Sequence, residues 1–197
     1  MRHGETDWNL QKRIQGMADI DLNETGKTAA ILTGQGLSDV DFDIAFTSPL
    51  RRARETARLV LKDRDVPIHD EQRIREINFG VFEGLAYETE IDVARRKEFA
   101  RFFEEPYQYQ PPENGETIRE VCARTKDFYQ ELIHDTGMQD KRILLVSHGC
   151  AVRAFMQNVY EPSNDFWHGS VPPNCGISII EVKEGSAALV REDTVFF

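Results

Sequence analysis

One apolar segment in the last third of the chain restricts the fold more than any other feature. Residues Arg142 to Ser147 enclose the uninterrupted run Ile143-Leu144-Leu145-Val146. A run of this kind is typical of a strand that is buried on both faces of a parallel sheet. Because helices must then cover both faces, the segment predicts an α/β domain.

The rest of the chain alternates between strand and helix patterns, as such a domain requires. Further strands are predicted at 42–47, 66–69, 176–182 and 187–190, and the last two form a hairpin. Helices are predicted after Gly26, from Ser48 as N-cap with Pro49 in the first turn, over 87–103, from Glu116 to a C-cap at Gly137, and from Ala151 to Val159. We therefore expect a three-layer α/β/α sandwich with a mostly parallel central sheet, and one domain spanning residues 1–197.

Composition narrows the functional classes. The net charge of −10 argues against nucleic acid, whose binding depends on neutralising phosphates with Lys and Arg. No apolar stretch approaches the roughly 20 residues of a membrane span. The cysteines, Cys122, Cys150 and Cys175, lack a CxxC spacing and are interpreted as reduced thiols of a cytoplasmic protein. We expect no metal site, because the sequence has no HExxH or carboxylate-rich loop.

Two histidines occupy similar settings far apart in the chain. His148-Gly149 follows the buried strand, and His3-Gly4 lies near the start, after Arg2. A His-Gly at the carboxyl end of a strand presents its imidazole where open α/β sheets build sites. Together with Arg2 and the pair Arg51-Arg52, these histidines could enclose one small anion, which predicts phosphate chemistry.

Several motifs together resemble the histidine phosphatase superfamily, which includes the cofactor-dependent phosphoglycerate mutases. They follow the family's order through nearly the whole chain. They are Arg2-His3-Gly4-Glu5-Thr6-Asp7-Trp8-Asn9, Arg13-Ile14-Gln15-Gly16, the segment from Asp19 to Gly26, the segment from Ser48 to Ala57, the segment from Arg75 to Gly84, and Ser147-His148-Gly149. The resemblance implies a phosphoglycerate mutase-like fold with a short helical cap inserted at about residues 85–112.

The resemblance assigns the chemical steps to two residues. It implies that His3 is the nucleophile that forms a phosphohistidine, and an imidazole with a usual pKa of about 6.5 suits this role. It implies that Glu76 is the general acid that protonates the departing alkoxide and then the base that activates water. This role requires a raised pKa. Glu83 is the rival acid, and Glu76 is favoured because it occupies the family's position.

The resemblance also assigns the phosphate-binding residues. It implies that Arg2, Arg52 and His148 hold the transferring phosphoryl group, while Asn9 and Gln15 donate neutral hydrogen bonds. Two guanidiniums approximately balance a phosphate monoester, whose charge is roughly −1.5 to −2 near neutral pH, and their paired donors match phosphate oxygens.

The remaining polar residues receive weaker assignments. Glu5 and Gly149 are predicted to be substrate-binding residues. Alternatively, Glu5 orients Arg2. Arg51 is interpreted as a surface residue. Among the other histidines, His168, next to Trp167 and Gly169, could pack near the site, although a core or surface role is favoured.

The predicted function is hydrolysis of a small phosphorylated metabolite, without a cofactor. Three departures from the mutases favour the phosphatase branch. The cap is short, and Cys150 stands where the mutases usually have Asn. Around the acid, the chain has Glu76-Ile77-Asn78-Phe79-Gly80 where the mutases tend to have Glu-Arg-His-Tyr-Gly. Phosphoglycerate mutase is the alternative, and the cluster Arg95-Arg96-Lys97 supports it because it could bind a substrate carboxylate. A solvated helix face is the favoured interpretation of this mixed-charge segment. A noncatalytic phosphoester- or partner-binding module is the third reading. The cap and the terminal hairpin are candidate surfaces for a homodimer.

One departure from the family concerns its first strand. The family's Arg-His-Gly motif ends a central strand, whereas only Met1 precedes Arg2 in this sequence. If no strand occupied this position in the sheet, a gap of about 10 Å would separate the two neighbouring strands. Two rows of backbone donors and acceptors would also be left unpaired. We expect either further natural residues at this end, which we favour, or another segment in the position, from this chain or a neighbouring one.

Overall fold

The computed structural model describes all 197 residues. The α-helices are α1 (Asp7–Leu10), α2 (Glu24–Gly36), α3 (Arg51–Leu61), α4 (Val93–Glu104), α5 (Ile118–His134) and α6 (Gly149–Met156). The strands are β1 (Ile44–Thr47), β2 (Ile68–Asp70), β3 (Ile143–Val146), β4 (Ile177–Lys183) and β5 (Ser186–Thr194). Short 3-10 helices lie at Gln72–Ile74, Gly80–Phe82, Pro106–Gln108 and Thr136–Met138. No helix has the length and apolarity of a membrane span.

The central sheet is parallel, as the apolar run predicts. Its order is β2-β1-β3, and Ala45 lies opposite Ile68 on one side and Leu144 on the other. Alternate residues of each strand face opposite sides of the sheet. Ala45 and Leu144 pack with α2 and α3, whereas Phe46 and Leu145 pack toward α5 and α6. Helices therefore cover both faces, and the α/β fold is confirmed.

Residues 1–3 lie beside β3, on the side away from β1. The Met1 nitrogen donates to the Leu145 carbonyl at 2.7 Å, and Arg2 forms a parallel bridge with Ser147. On the other side, the Arg2 amide donates to the Gly176 carbonyl at 3.1 Å. These bonds bring the segment carrying Arg2 and His3 next to the segment carrying His148.

The predicted cap region, residues 85–112, contains α4 and packs onto the core through aromatic side chains. Phe99 is buried, and its ring centroid lies 5.4 Å from that of Phe79. The helix begins at Val93, later than predicted, because the Asp92 side chain accepts a hydrogen bond from the Arg95 amide at 3.0 Å and caps it there.

Two predicted helix caps are wrong. Helix α3 begins at Arg51 without a side-chain cap, because the Ser48 hydroxyl lies 2.7 Å from Nε2 of His148 instead. Helix α5 ends at His134, and Gly137 lies in a separate 3-10 turn without the positive φ of a glycine cap. The terminal hairpin is present as β4 and β5, which are antiparallel.

Candidate active site

His3 is held in one tautomer by its own neighbour. Its Nδ1 lies 2.6 Å from the Gly4 carbonyl oxygen, and because a carbonyl only accepts, Nδ1 must carry the proton. The lone pair is therefore on Nε2. Burial, followed by the charges of Arg52 and Arg2, lowers the pKa of His3 well below 6.5. The imidazole is accordingly neutral at neutral pH and has a free nucleophilic nitrogen.

The backbone around His3 is fixed by hydrogen bonds from distant segments. The His3 amide donates to the Ser147 carbonyl at 2.9 Å, and the Asn174 side chain donates to the His3 carbonyl at 3.0 Å. Sequence reasoning missed Asn174, which lies outside every recognised motif. Its contact depends on the chain reversal before β4.

His148 lies against His3, with ring centroids 5.1 Å apart. Its Nε2 is 2.7 Å from the Ser48 hydroxyl, which accepts a bond of 3.4 Å from the Leu50 amide. The hydroxyl can therefore donate its proton to Nε2, which leaves the proton of His148 on Nδ1. Nδ1 is buried and has no partner in the protein. Burial, then the charge of Arg52, lowers the pKa of His148 well below 6.5.

Arg2 and Arg52 bring two buried guanidiniums to the histidine pair. Arg2 donates to the Pro172 carbonyl at 2.7 Å, and Arg52 donates to the Gly16 and Ala18 carbonyls, both at 2.7 Å. The Nε atom of each arginine is buried without a partner. Burial lowers the pKa of both, that of Arg52 to about 10. Guanidiniums in proteins remain charged at neutral pH.

Glu76 accepts three backbone hydrogen bonds next to these groups. The amides of Ile77, Cys150 and Ala151 donate to its carboxylate at 3.0, 3.2 and 3.1 Å. Two of these amides belong to the first turn of α6. Burial raises the pKa of Glu76 against the opposing effects of these amides and Arg52. A buried carboxyl with a raised pKa has the property that a general acid needs.

Gly149 lies beside Glu76, Arg2 and Val171. A Cβ atom at this position would lie 3.7 Å from Oε2 of Glu76 and 3.8 Å from Nε of Arg2, which are ordinary van der Waals distances, but 2.8 Å from a methyl carbon of Val171. The last distance is too short for a side chain. The glycine therefore leaves the room that Val171 occupies in the cavity wall.

Thr6 organises the two amide side chains. The Thr6 amide donates to Oδ1 of Asn9 at 3.1 Å in a capping box, so the NH₂ of Asn9 is directed elsewhere. The Gln15 NH₂ donates to the Thr6 hydroxyl at 2.8 Å. Both amides line the site cavity.

The two other predicted carboxylates have partners outside the cavity. Glu5 accepts from the Asn23 side chain at 2.9 Å. Glu83 accepts from the amides of Met17 and Ala18 at 2.7 and 2.6 Å. Glu83 therefore holds the loop whose carbonyls bind Arg52, whereas Glu76 lines the cavity.

The cavity has a volume of about 310 Å³. Of the predicted residues, it is lined by Arg2, Asn9, Gln15, Glu76 and Gly149, whereas His3, Arg52 and His148 are buried beside it. The rest of its wall consists of Trp8, Lys12, Arg13, Ile14, Phe79, Tyr87, Phe99, Phe102, Phe103, Cys150, Trp167 and Val171.

The cationic groups at the cavity are not those of the cap cluster. None of Arg95, Arg96 and Lys97 lines it. Lys12 and Arg13 do, and they pair with Glu88 at 3.0 Å and Glu90 at 2.8 Å. Arg51 is exposed and pairs with Asp19 and Asp21, as a surface residue does. The structure contains no group of three or more His, Cys, Asp or Glu side chains that could hold a metal ion.

A family model described as histidine phosphatase superfamily (branch 1) matches residues 1–194. The chain belongs to this superfamily. It is 35% identical over 159 residues to a Bacillus subtilis protein named uncharacterized phosphatase PhoE, covering 81% of this chain and 75% of that one. It is 32% identical over 161 residues to a protein of Cytophaga hutchinsonii named 2,3-bisphosphoglycerate-dependent phosphoglycerate mutase, with coverages of 81% and 75%.

The solved structure of Bacillus stearothermophilus YhfR superposes with a TM-score of 0.91 at 32% identity, over 98% of this chain and 95% of that one. The phosphoglycerate mutase-like fold is thus confirmed. Histidine phosphatases include both phosphatases and mutases, so family membership supports an enzyme without distinguishing the two reactions.

Proposed function

We propose that this protein hydrolyses small phosphomonoesters through a phosphohistidine at His3. One observation carries the proposal: Nε of Arg2, Nε of Arg52 and Nδ1 of His148 are buried without partners around a neutral histidine. An unpaired buried donor costs about 1–3 kcal/mol. A bound phosphoryl group would supply an acceptor for all three, and the two arginines would balance its charge.

The contacts give each residue a step in the proposed reaction. The Nε2 lone pair of His3 attacks phosphorus while the ester oxygen leaves and takes the proton from Glu76. Glu76, now a carboxylate, then removes a proton from water as the water oxygen attacks the phosphohistidine. Phosphate leaves, and His3 and Glu76 return to their initial states. Arg2 and Arg52 supply the positive charge at phosphorus, so these steps require no metal ion.

The cavity wall favours leaving groups with an apolar or aromatic part. Trp8, Tyr87, Phe103 and Trp167 are among its lining residues. Such a surface stabilises apolar groups by about 25 cal/mol for each Å² removed from water. We therefore propose a monoester whose alcohol is at least partly apolar, in preference to a substrate with a second anionic group.

Phosphoglycerate mutase is the second candidate, and the cations of the cavity support it. Lys12 and Arg13 pair with side chains that are 65% and 42% exposed. Exposed ion pairs contribute only about 0–1 kcal/mol, so a substrate carboxylate could displace Glu88 or Glu90. The mutase reaction would return the phosphoryl group from His3 to a second hydroxyl.

A substrate panel distinguishes these functions. Phosphate release is measured from monoesters with aromatic, alkyl and anionic alcohols in the presence of a chelator, and 3-phosphoglycerate is tested with and without 2,3-bisphosphoglycerate. We expect metal-independent release, fastest for the aromatic esters, without isomerisation. Isomerisation that requires the bisphosphate would establish a mutase. Phosphate binding without turnover of any ester would favour the noncatalytic reading.

A further inference from the structure

A buried arginine outside the proposed reaction connects the terminal hairpin to α6. The Arg153 side chain is 1% exposed, although it carries a charge. Its Nη1 atom lies 2.8 Å from the Glu192 carboxylate and donates to the Tyr160 hydroxyl at 2.8 Å. Its Nη2 atom pairs with the Asp193 carboxylate. Both acids belong to β5, so the guanidinium is fixed from the hairpin side.

The same guanidinium holds one backbone carbonyl on its other side. Nε and Nη2 of Arg153 both donate to the Ser170 carbonyl, at 3.0 and 2.8 Å. Ser170 lies in the segment without regular secondary structure between α6 and β4, and we name residues 170–176 of this segment the clamp loop. The two residues before it, His168 and Gly169, have φ angles of +47° and +98°. A non-glycine residue in this conformation is under strain, so the surrounding contacts must hold the backbone there.

The clamp loop in turn holds Arg2 and His3. Arg2 donates to the Pro172 carbonyl from its side chain at 2.7 Å and to the Gly176 carbonyl from its backbone at 3.1 Å. The Asn174 side chain donates to the His3 carbonyl at 3.0 Å. A displacement of the loop would therefore move a phosphate-binding guanidinium and the nucleophile together.

The energetics favour positioning over stability as the role of this arginine. Burial of an ion pair carries a desolvation cost that its attraction often only balances, and an apolar replacement is frequently as stable. The planar guanidinium, in contrast, has N–H donors in a rigid arrangement that fixes the orientation of the group it binds. A lysine ammonium, whose donors rotate, does not fix this orientation. Two of the Arg153 donors converge on one oxygen of the clamp loop.

We propose that Arg153 is a positioning residue, which fixes the clamp loop and through it the guanidinium of Arg2 and the imidazole of His3. This inference rests on the proposed phosphate site. It adds a residue that touches neither substrate nor reacting atoms, and it makes the geometry of the site depend on the terminal hairpin.

The test compares R153K with a matched control, R64K. Lysine at 153 keeps the charge beside Glu192 and Asp193 but loses the two-fold hold on Ser170. Arg64 also donates to backbone carbonyls, those of Val40, Gly34 and Leu37, at 3.0–3.1 Å, and none of them lines the cavity. The affinity for inorganic phosphate is measured by calorimetry, and kcat and KM are measured with one monoester.

We expect R153K to weaken phosphate binding about tenfold and to lower kcat by about 10- to 100-fold, since a misplacement of about 1 Å has effects of that size. R64K should leave both unchanged. In an Arg2→Ala background, R153K should cause a smaller further loss of phosphate affinity, because the part of its effect that passes through the Arg2 guanidinium is already absent. Equal losses in both backgrounds, or unchanged binding and kcat in R153K, would overturn the proposal.

The phosphate measurement separates this proposal from the proposed reaction. A wild-type protein that binds phosphate but hydrolyses no ester contradicts hydrolysis, while the effect of R153K on binding still tests the role of Arg153. Wild-type protein that binds no phosphate contradicts both. If R153K does not fold, Asp193→Asn provides the test: weaker phosphate binding supports the proposal, and unchanged binding overturns it.

Discussion

The hydrogen bonds of single residues decide which groups can react. The Gly4 carbonyl keeps the proton of His3 on Nδ1, which leaves the lone pair of Nε2 free, whereas the Ser48 hydroxyl occupies Nε2 of His148, which leaves the proton on Nδ1 free. One imidazole thus offers a lone pair, and the other can donate a proton to the same small volume. The sequence alone does not determine which nitrogen of each histidine stays free, because this depends on the atom that lies opposite each nitrogen in the folded protein.

Glu76→Gln tests the general acid. For an alkyl phosphate we expect kcat to fall by about 10²- to 10⁴-fold, since the alkoxide then leaves without a proton. For an activated aryl phosphate, with its better leaving group, phosphohistidine formation should slow by less than about tenfold. The measurement is the rate of phosphohistidine formation in single turnovers.

Glu83→Gln is the control for this pair of substrates. Its carboxylate holds the amides of Met17 and Ala18, so its loss should slow both substrates by the same factor. Equal slowing of the two substrates by Glu76→Gln would instead contradict the assignment of Glu76 as the acid.

Sequence motifs predicted which groups the structure brings together at the site better than they predicted the groups that orient them. His3, Arg52, Glu76 and His148 lie in motifs, and the structure brings them together. Asn174 has no motif, because its contact with His3 depends on a chain reversal that only tertiary structure defines. Ser48 was predicted to cap α3, because a serine before a helix is usually its N-cap. In the structure its hydroxyl contacts His148 instead.

At the scale of elements, two features bring the site together. The first turn of α6 directs the amides of Cys150 and Ala151 at Glu76. The cap contributes part of the aromatic wall, namely Tyr87, Phe99, Phe102 and Phe103. The sequence predicted both α6 and α4, but it placed the start of each incorrectly. Helix starts depend on which side chain accepts the first free amide, and periodicity does not reveal this.

Phe103→Ala tests the contribution of the cap to specificity. Phe103 lines the cavity and is 47% exposed, so the fold should tolerate its truncation. We expect kcat/KM for an aromatic ester to fall about five- to tenfold, equivalent to roughly 1 kcal/mol of lost apolar contact. For glycerol phosphate the change should be less than about twofold.

Val93→Ala is the matched control, because Val93 lies on the same helix, is 78% exposed and does not line the cavity. It should leave kcat/KM for both esters unchanged. An equal loss for both esters in Phe103→Ala would show that the cap acts on the site as a whole and does not select the alcohol.

At the scale of the whole molecule, the buried site makes stability depend on pH. The pKa values of His3 and His148 are lowered in the folded state, so the unfolded chain binds more protons below about pH 6.5. Their contribution to stability is present above pH 6.5 and is lost as the pH falls toward their folded pKa values. The raised pKa of Glu76 acts in the opposite sense above about pH 4.5.

The free energy of unfolding should therefore decrease from pH 6.5 to 5.5. The decrease should be on the order of 1 kcal/mol for each proton that the unfolded chain binds in excess of the folded protein. Glu76→Gln removes the opposing group and should make the decrease steeper, whereas His3→Ala should make it shallower. Urea unfolding at several pH values measures these slopes. If the wild type, Glu76→Gln and His3→Ala showed the same change of unfolding free energy with pH, these groups would not titrate differently in the folded and unfolded states.

The overall architecture was the most predictable feature, and the arrangement of the chain's start was the least. The apolar run at 143–146 specified the layered fold, because a strand buried on both faces needs helices on both sides. Residues 1–3 lie beside β3 through backbone hydrogen bonds, which leave no side-chain pattern to read. The single domain over residues 1–197 and the homodimer stay predictions.

The most direct test of the central claim is trapping of the phosphoenzyme. The protein is mixed for milliseconds with a ³²P-labelled monoester, quenched in alkali, where phosphohistidine is stable, and digested to locate the label. Label on the peptide that contains His3, absent from a folded His3→Ala variant, is the result that our account predicts. Label retained by His3→Ala, or a wild-type protein that hydrolyses the ester without ever carrying label, would contradict it.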